Sequence, residues 1–299
     1  MNILIEIPLD YRNRVINDNG KLWIDELSGL IEEYVYKFKL KNIDLVPKLT
    51  INFVFYAYSD IYGDVVVKFC KSDNGIRDEI NFIKNCNSSY MVKMFYYNYD
   101  DKVIILERIK PGDSLEKFGD INYRLQVVKL IYDDIYFNVG SSNCKKYYTS
   151  FCNKANNDII INNLDNECRL MLKTALEFYS EIEKSNLQEC ILHRDLHYKN
   201  ILKDDNVFKT IDPHGVFGYR VFELPQIIRS ELKIINNDYL RLKDIILNVS
   251  KCFDFDFKIV CKVLCIDTVE KILYFTLASY EKKFIDDCKC SYNEIISYL

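Results

Sequence analysis

The chain has 299 residues, enough for two lobes that each bury a core. Its formal net charge of −4 leaves no broad basic surface, so we expect no nucleic-acid partner. This mild acidity would suit a cationic ligand without requiring one.

The cysteines and the hydropathy pattern indicate a reduced, soluble protein. The eleven cysteines form no CxxC pair, and their odd number and scatter disfavour a disulfide scaffold or a metal site. The N-terminal segment is too acidic for a signal peptide, and no apolar run reaches the roughly 18 residues of a membrane span. We therefore expect a cytoplasmic protein with no membrane partner.

The first third of the chain predicts two helices, each followed by a pair of strands. β-branched and aromatic residues dominate the strand segments, and apolar residues recur at helical spacing elsewhere. A turn at 59–64 leads into a strand that ends near Lys68, and Glu79 lies beside the buried face of the next helix. In chain order the predicted elements are a helix over 21–40, strands over 49–58 and 65–69, a helix over 75–85, and strands over 92–98 and 103–109.

From about residue 121 the pattern becomes mostly helical, and Pro111-Gly112 separates it from the strand-rich part. We predict an α+β, bilobal fold. Its antiparallel-sheet N-terminal lobe, 1–106, would bind nucleotide, and its mainly helical lobe, 107–299, would carry the catalytic loop and an acceptor site. The predicted helices of this second lobe cover 122–137, 165–185, 222–235, 238–250 and 268–285.

All three histidines lie in two short segments, 192–202 and 211–218. The first, LHRDLHYKNIL, has the spacing H-x-D-x-x-x-x-N, and the second, IDPHGVFG, has an acid after an apolar residue. Phosphoryl transfer needs a carboxylate that orients the acceptor hydroxyl and takes its proton, a role that Asp195 would fill. Mg²⁺ prefers carboxylate and amide oxygens, so Asn200 and Asp212 are the predicted metal ligands. The alternative is a turn between two strands, with Asp and Asn as turn formers.

A lysine and a glutamate could hold the nucleotide phosphates. Lys68 closes a strand and Glu79 lies on the next helix, the order in which kinases form an ion pair that fixes the lysine against the α- and β-phosphates. Without the later motif, both would be interpreted as surface charges. Lys71 and Asp78 are neighbouring alternatives for the same two roles.

Two other segments could contact the nucleotide through their backbone. A phosphate-covering loop is expected at Ser59–Asp64, between the first two predicted strands, although it holds a single glycine. Glu107 and Ile109 lie where the chain passes between the lobes, and backbone groups of such a hinge would bind adenine. The alternative for this stretch is a buried strand end.

The three histidines have different predicted roles. His193 would have a structural role, whereas His197 could contact substrate or hydrogen-bond a loop carbonyl. His214 follows a proline beside the predicted metal ligand, and we expect it to support the site rather than touch phosphate.

These motifs resemble the aminoglycoside phosphotransferase superfamily, which has a protein-kinase-like fold, and most closely its streptomycin and hydroxyurea phosphotransferase branch. Similarity is concentrated in ILERIKPGDSL at 105–115, LHRDLHYKNIL at 192–202 and IDPHGVFG at 211–218. GKLWIDEL at 20–27 is more weakly similar, so the resemblance spans about 5–225.

The resemblance implies the same site residues as the chemical argument. Asp195 would be the base, Asn200 and Asp212 the Mg²⁺ ligands, and Lys68 with Glu79 the clamp on the phosphates of ATP or GTP. The acceptor would be the hydroxyl of a small molecule, and it could be cationic.

The sequence also departs from that family. Arg194 stands where the family usually has glycine, His214 where the branch often has lysine, and Glu223 where aspartate is common. His-Arg-Asp is the protein-kinase spelling, but no D-F-G, long activation segment or A-P-E follows Asp212, so no platform for a peptide substrate is expected.

Three functions remain open. The leading one is an Mg-dependent phosphotransferase acting on an aminoglycoside such as streptomycin, or on hydroxyurea. A kinase of choline, homoserine or a sugar would differ only in the lining of the acceptor pocket. A pseudokinase is disfavoured because the lysine, base and metal ligands are all present. Acids suited to a polycationic acceptor, at 133, 134, 177, 181 and 183, are better explained as a solvated helix face.

Overall fold

A five-stranded antiparallel sheet organises the first part of the chain. The computed structural model describes residues 6–17, 20–137 and 146–299. The strands are β1 (Leu40–Leu45), β2 (Phe53–Ser59), β3 (Gly63–Phe69), β4 (Met94–Asn98) and β5 (Val103–Glu107). Their order across the sheet is β1-β2-β3-β5-β4.

Helices cover this sheet because its strands alternate in burial. The helices here are α1 (Leu9–Asn17), α2 (Lys21–Lys37) and α3 (Asp73–Asn85). Phe53, Phe55 and Ala57 of β2 share one face and are buried, as the two-residue period of a strand requires. They join a core cluster with Leu27 and Tyr34 of α2.

The remainder of the chain is mainly helical. Its helices are α4 (Ile121–Phe137), α5 (Tyr147–Ala155), α6 (Asp158–Asn163), α7 (Asn166–Glu183), α8 (Leu224–Ile234), α9 (Leu242–Phe253), α10 (Phe257–Leu277) and α11 (Lys282–Ile296). The short strands are β6 (Pro111–Ser114), β7 (Glu189–Leu192), β8 (Ile201–Asp204), β9 (Val207–Thr210) and β10 (Val216–Tyr219). They form two small sheets, β6-β8-β9 and β7-β10. The predicted α+β architecture, a sheet-based first lobe and a mainly helical second lobe, is confirmed.

Two hydrophobic clusters make up the core. The smaller lies entirely between Tyr11 and Ile105. The larger runs from Cys70 to Ile295, so α3 and β5 contribute to it although they belong to the first lobe. The boundary between 106 and 107 remains a prediction. No helix in the described part of the chain is long and apolar enough to cross a membrane.

Several predicted elements need correction. The strand β1 was not predicted, because its polar sequence LKNIDL leaves only Leu40 fully buried at the sheet edge. The segment PGDS was predicted to break the pattern, yet it is β6 and pairs with β8. The predicted helix over 268–285 is two helices, because α10 ends at Leu277 and Ser279 takes a positive φ of 52°. In addition, α10 begins at Phe257 rather than 268, where Asp256 caps it.

A buried ion pair ties the helical lobe to the segment after β7. Arg124 of α4 donates through Nε and Nη2 to Glu231 of α8, at 2.8 and 2.6 Å. The Tyr198 hydroxyl donates to the same carboxylate at 2.5 Å. This arrangement satisfies a buried carboxylate with charge-assisted bonds and fixes the segment that contains Asp195.

Candidate active site

Strand pairing brings the two motif segments together. The β8–β9 hairpin pairs Ile201 with Thr210, and the Ile211 N–H donates to the Asn200 carbonyl at 3.0 Å. At the other end, Leu192 of β7 pairs with Val216 of β10. The loop after β7 and the segment after β9 therefore lie side by side, and each carries one acid at the junction of the lobes.

Lys68 connects the two lobes. Its Nζ donates to Glu79 Oε2 of α3 at 2.7 Å and to Asp212 Oδ1 at 2.8 Å, although Asp212 is 144 residues away in sequence. The Lys68 and Glu79 side chains are 9% and 6% exposed, whereas that of Asp212 is 47% exposed. Asp212 is therefore the most exposed member of this triad.

Charge complementarity governs ionisation in this triad. Burial opposes the charged form of Lys68, but the adjacent carboxylates of Asp212 and Glu79 raise its pKa well above the usual value. Burial likewise opposes ionisation of Asp212, and the Lys68 charge nevertheless lowers the pKa of that carboxyl. The lysine is thus a permanent cation beside an ionised aspartate.

The loop after β7 holds Asp195 between two polar neighbours. The Asn200 amide Nδ2 donates to the Asp195 carbonyl and to its Oδ2, both at 3.0 Å. His197 Nε2 lies 3.5 Å from the same Oδ2. Because the Asn200 amide nitrogen is engaged, its oxygen is the atom that remains for a metal ion.

The residue before Asp195 adopts a strained backbone conformation. Arg194 has a φ of 64°, in the left-handed region that L-residues rarely adopt. Its N–H donates to Oε1 of Glu223 at 2.7 Å, and Glu223 is fully buried. Glu223 therefore fixes the backbone that presents Asp195, as one expects of an over-determined site.

Glu223 gives the protein a testable pH dependence. Burial raises the pKa of Glu223 from 4.5 to about 7. A carboxyl with a raised pKa in the folded state stabilises the fold at low pH, and this contribution is lost as the pH rises from 4.5 to about 7. We expect Glu223→Gln to flatten this part of the stability profile while still accepting the Arg194 N–H. Urea unfolding at several pH values would measure it, and an unchanged slope would contradict the assignment.

The histidines differ in burial and partners. His193 is fully buried, its Nδ1 accepts from the Asp195 N–H at 3.3 Å, and its Nε2 contacts Thr210 Oγ1 at 2.8 Å. Burial lowers the pKa of His193 to about 3, so the ring is neutral and Nε2 is the donor. Burial also lowers the pKa of His214, whose N–H donates to the His193 carbonyl at 2.8 Å.

A cleft of about 290 Å³ lies between the sheet and the motif segments. Lys68 and Asp212 line its inner end. The loop between β1 and β2 covers it, with Lys48, Thr50 and Asn52 in the lining. This loop therefore occupies the place expected of a phosphate-covering loop, and it contains no glycine.

The predicted phosphate loop at Ser59–Asp64 was wrong. That turn joins β2 to β3 at the end of the hairpin where Ser59 pairs with Gly63, whereas Lys68 pairs with Val54 at the opposite end. The error follows from the missed strand β1, because 49–58 was counted as the first strand and the following turn was taken for the loop.

The hinge residues line the outer part of the cleft. Both the backbone and the side chain of Glu107 are held by hydrogen bonds. Its N–H donates to the Lys93 carbonyl, and its carboxylate accepts from Lys209 Nζ at 2.8 and 2.9 Å. Ile109 is buried two residues further on, and Arg108 between them lies over the Tyr56 ring at 4.0 Å. Adenine binding by the backbone here stays a prediction.

A second cavity, of about 460 Å³, lies on the other side of the motif segments. Arg194 and His214 line it, so it adjoins the loop that carries Asp195. Helices α3, α5, α8 and α10 supply the rest of its wall. At its edge, Gly215 has a φ of 61°, and a Cβ there would lie 2.4 Å from the Asp78 carbonyl oxygen, so only glycine fits.

The oxygen atoms around the junction suit magnesium. Asp212 offers a half-exposed carboxylate and Asn200 an amide oxygen, and Mg²⁺ binds through one or two such groups together with phosphates and water. No group of three or more Cys, His, Asp or Glu side chains in the described residues could hold a metal by itself. The donor set therefore fits a cation that arrives with its nucleotide.

Comparison with known proteins adds structural relatives only. Neither a protein-family profile nor a curated protein matches the sequence. A thermostable mutant of the aminoglycoside phosphotransferase APH(4)-Ia, crystallised with ADP and hygromycin B, aligns with a TM-score of 0.68 and 11% identity over 89% of this chain and 97% of that one. This chain has a protein-kinase-like fold. A choline/ethanolamine kinase family protein from Mesorhizobium loti aligns at a TM-score of 0.66 and 11% identity, covering 90% and 98% of the two chains. The choline kinase LicA from Streptococcus pneumoniae gives 0.65 and 10%, covering 91% and 100%.

Most of the predicted site residues lie at the junction of the two lobes in this fold. The structure brings together Lys68, Glu79 and Asp212 on one side, and Asp195 with Asn200 on the other, while their catalytic and metal roles remain predictions.

Within this kinase-like fold, sequence reasoning missed the loop before β2 and the side chains around Arg194. Asp267 and Glu270, which contact that arginine, stand at the boundary of the predicted helix over 268–285. Their spacing of three residues was the available signal, because it places both on one face of a helix.

Proposed function

We propose that this protein is a Mg²⁺-dependent phosphotransferase that moves the γ-phosphate of ATP or GTP to a hydroxyl of a small molecule. The observation that carries the proposal is the contact of Lys68 with both Glu79 and Asp212 across the interlobe cleft. A buried lysine shared by a helix glutamate and a half-exposed aspartate is the arrangement that holds phosphates in kinases. The protein-kinase-like fold supports the same conclusion.

The proposed chemistry assigns one task to each residue. Lys68 would bind the α- and β-phosphates, and Glu79 would keep its ammonium in position. Asp195 would orient the acceptor hydroxyl and take its proton as the oxygen–phosphorus bond forms and the bond to the departing diphosphate breaks. Asn200 and Asp212 would hold the Mg²⁺, which supplies charge neutralisation at the phosphates.

Ligand placement follows from the two cavities. The nucleotide would occupy the cleft beneath the β1–β2 loop, with adenine against the backbone of Glu107 and Ile109. The acceptor would enter the cavity beside Arg194, because this neighbour of Asp195 lines that cavity while Asp212, on the adjoining segment, lines the cleft. Transfer would then take place beside Asp195, where the acceptor hydroxyl and the γ-phosphate are held close together.

The acceptor class is the finer part of the proposal. Sequence resemblance suggests an aminoglycoside such as streptomycin, or hydroxyurea, and hence a role in antibiotic resistance. The structural relatives include an aminoglycoside phosphotransferase and choline kinases. A choline, homoserine or sugar acceptor is the alternative, and each class demands a different lining of the acceptor cavity.

An acceptor panel tests the activity directly. Purified protein with Mg·ATP or Mg·GTP would be incubated with streptomycin, hydroxyurea, hygromycin B, choline, homoserine and simple sugars, and acceptor-dependent nucleoside diphosphate release would be measured. We expect release with at least one acceptor and none in excess EDTA. Nucleotide binding would be titrated separately, and a protein that binds no Mg·nucleotide would overturn the kinase proposal.

A further inference from the structure

The carboxylates of the acceptor-side cavity are already neutralised by the protein. Arg194 Nη2 donates to Asp267 Oδ1 at 2.8 Å and to Glu270 Oε2 at 2.9 Å. Arg229 forms an ion pair with the second Asp267 oxygen, and Lys154 Nζ lies 2.9 Å from the second Glu270 oxygen. Every oxygen of these two acids therefore contacts a cation of the chain.

The ion pairs of Asp267 and Glu270 are largely shielded from solvent. The Asp267 and Glu270 side chains are 3% and 17% exposed. Burial opposes ionisation of Glu270, yet Arg194 and Lys154 lower its pKa to about 2. The third acid of the lining, Asp78, also has an interaction partner. A cationic acceptor would have to break a buried ion pair to obtain a carboxylate here, which costs more than an exposed pair would.

Lys271 lines the same cavity as Asp267 and Glu270, but its charge is not compensated in the way that theirs is. It is partly buried on α10, lines the cavity, and has no ion-pair partner among the residues that the structure describes. Arg229, beside it, has its Nη1 buried without a hydrogen-bond partner among those same residues. Burial and the Arg229 charge lower the pKa of Lys271 to about 6. A buried amine among guanidinium groups is stabilised as a cation only when an anion joins it.

We propose that the acceptor carries an anionic group, a carboxylate or a phosphate, which binds Lys271 with Arg229 behind it while its hydroxyl faces Asp195. This inference rests on the proposed phosphotransferase function, because it takes the cavity beside Arg194 as the acceptor site. It separates this protein from its structural relatives at the level of substrate charge. The family's usual glycine at position 194 would remove the one cation that Asp267 and Glu270 share here, leaving Arg229 and Lys154 as their remaining partners.

Ligand-observed NMR with matched fragments tests the charge preference without knowledge of the natural acceptor. The full chain, loaded with Mg²⁺ and AMP-PNP, would be titrated with glycerate and glycerol phosphate, which carry the anion, and with glycerol, ethanolamine and choline, which do not. We expect at least one anionic fragment to bind at least about tenfold more tightly than glycerol. Comparing the affinities of glycerate and glycerol phosphate then distinguishes a carboxylate-binding site from a phosphate-binding site.

Variants of α10 assign the preference to one side chain. Lys271→Gln should abolish the anion preference, and Lys271→Arg should retain it. Lys262→Gln is the matched control, because Lys262 lies on the same helix and pairs with Glu181 away from the cavity. Since Lys271 has no ion pair to lose within the described part of the chain, its glutamine variant should fold normally, which thermal unfolding would check.

The outcomes separate this inference from the proposed function. Equal or tighter binding of ethanolamine and choline, no binding of either anion, or an anion preference that survives Lys271→Gln would each overturn the anionic acceptor. If Mg·AMP-PNP binds and a cationic acceptor is phosphorylated, the phosphotransferase stands and only the inference fails. If Mg·AMP-PNP does not bind, the proposed function itself fails.

Discussion

We expect Asp195→Asn to lower kcat for the acceptor identified in the panel by about 10²–10⁴-fold, because asparagine cannot take the proton of the attacking hydroxyl. The substitution keeps the size of the side chain and one oxygen for the hydrogen bond from Asn200 Nδ2, so the loop should keep its shape. Lys68 and Asp212 lie outside this change. Nucleotide affinity, measured by titration with Mg·AMP-PNP, should therefore be unaffected.

Asp205→Asn is the control for that substitution. Asp205 lies in the exposed turn after β8 with a φ of 46°, a conformation that asparagine adopts at least as easily as aspartate. The control should retain full turnover. Comparable rates for Asp195→Asn and the unaltered protein would remove Asp195 from the role of base and leave the kinase-like fold without an assigned proton acceptor.

The parts of the site that the sequence predicted are those held by local geometry. Asp195 and Asn200 are five residues apart in one loop, so their proximity follows from the chain itself. Asp212 follows a short hairpin that returns the chain to its starting point. Lys68 and Glu79 lie on consecutive elements, which limits how far apart they can be.

The parts that could not be predicted depend on tertiary contacts or on weak patterns. The edge strand β1 has a single fully buried residue, Leu40, among mostly polar and exposed positions, so its sequence carries little strand signal. Because β1 was not predicted, the phosphate loop was predicted between β2 and β3 instead of between β1 and β2. The pairing of Arg194 with Asp267 and Glu270 spans more than seventy residues, and nothing in the local sequence indicates it.

Arg194 takes part in both local and long-range contacts. Its backbone immediately precedes Asp195, and its side chain pairs with Asp267 and Glu270 in the second cavity. In the sequence, Arg194 is a departure from the resembling family that raised a protein-kinase alternative, which the absence of D-F-G, a long activation segment and A-P-E after Asp212 ruled against. The structure gives a different physical account, in which the guanidinium pairs with Asp267 and Glu270 and Glu223 accepts the Arg194 N–H.

Lys68→Met should have the second large effect, on stability and on turnover together. It leaves Glu79 as a buried carboxylate without its cation, which costs about 3–5 kcal/mol of the free energy of unfolding. It also removes the cation that would hold the phosphates, and we expect kcat to fall by about 10²–10³-fold. Urea unfolding and acceptor-dependent diphosphate release would measure the two effects on the same preparation.

The double variant Lys68→Met, Glu79→Met separates the two effects. Replacing both members of a buried pair by apolar side chains is often neutral or stabilising, so most of the lost stability should return. Turnover should stay low, because no cation faces the nucleotide. Lys41→Met is the control, since Lys41 pairs with Asp60 at 2.8 Å on the same sheet but with 59% and 37% exposure, and should cost less than about 1 kcal/mol.

The cycle discriminates between a structural and a functional lysine. If turnover returns with stability in the double variant, Lys68 serves the fold through Glu79 and its contact with Asp212 is incidental. If stability returns and turnover does not, the ammonium acts on the phosphates. The second result is expected, because Lys68 is charged, lines the nucleotide cleft and already contacts the half-exposed carboxylate of Asp212.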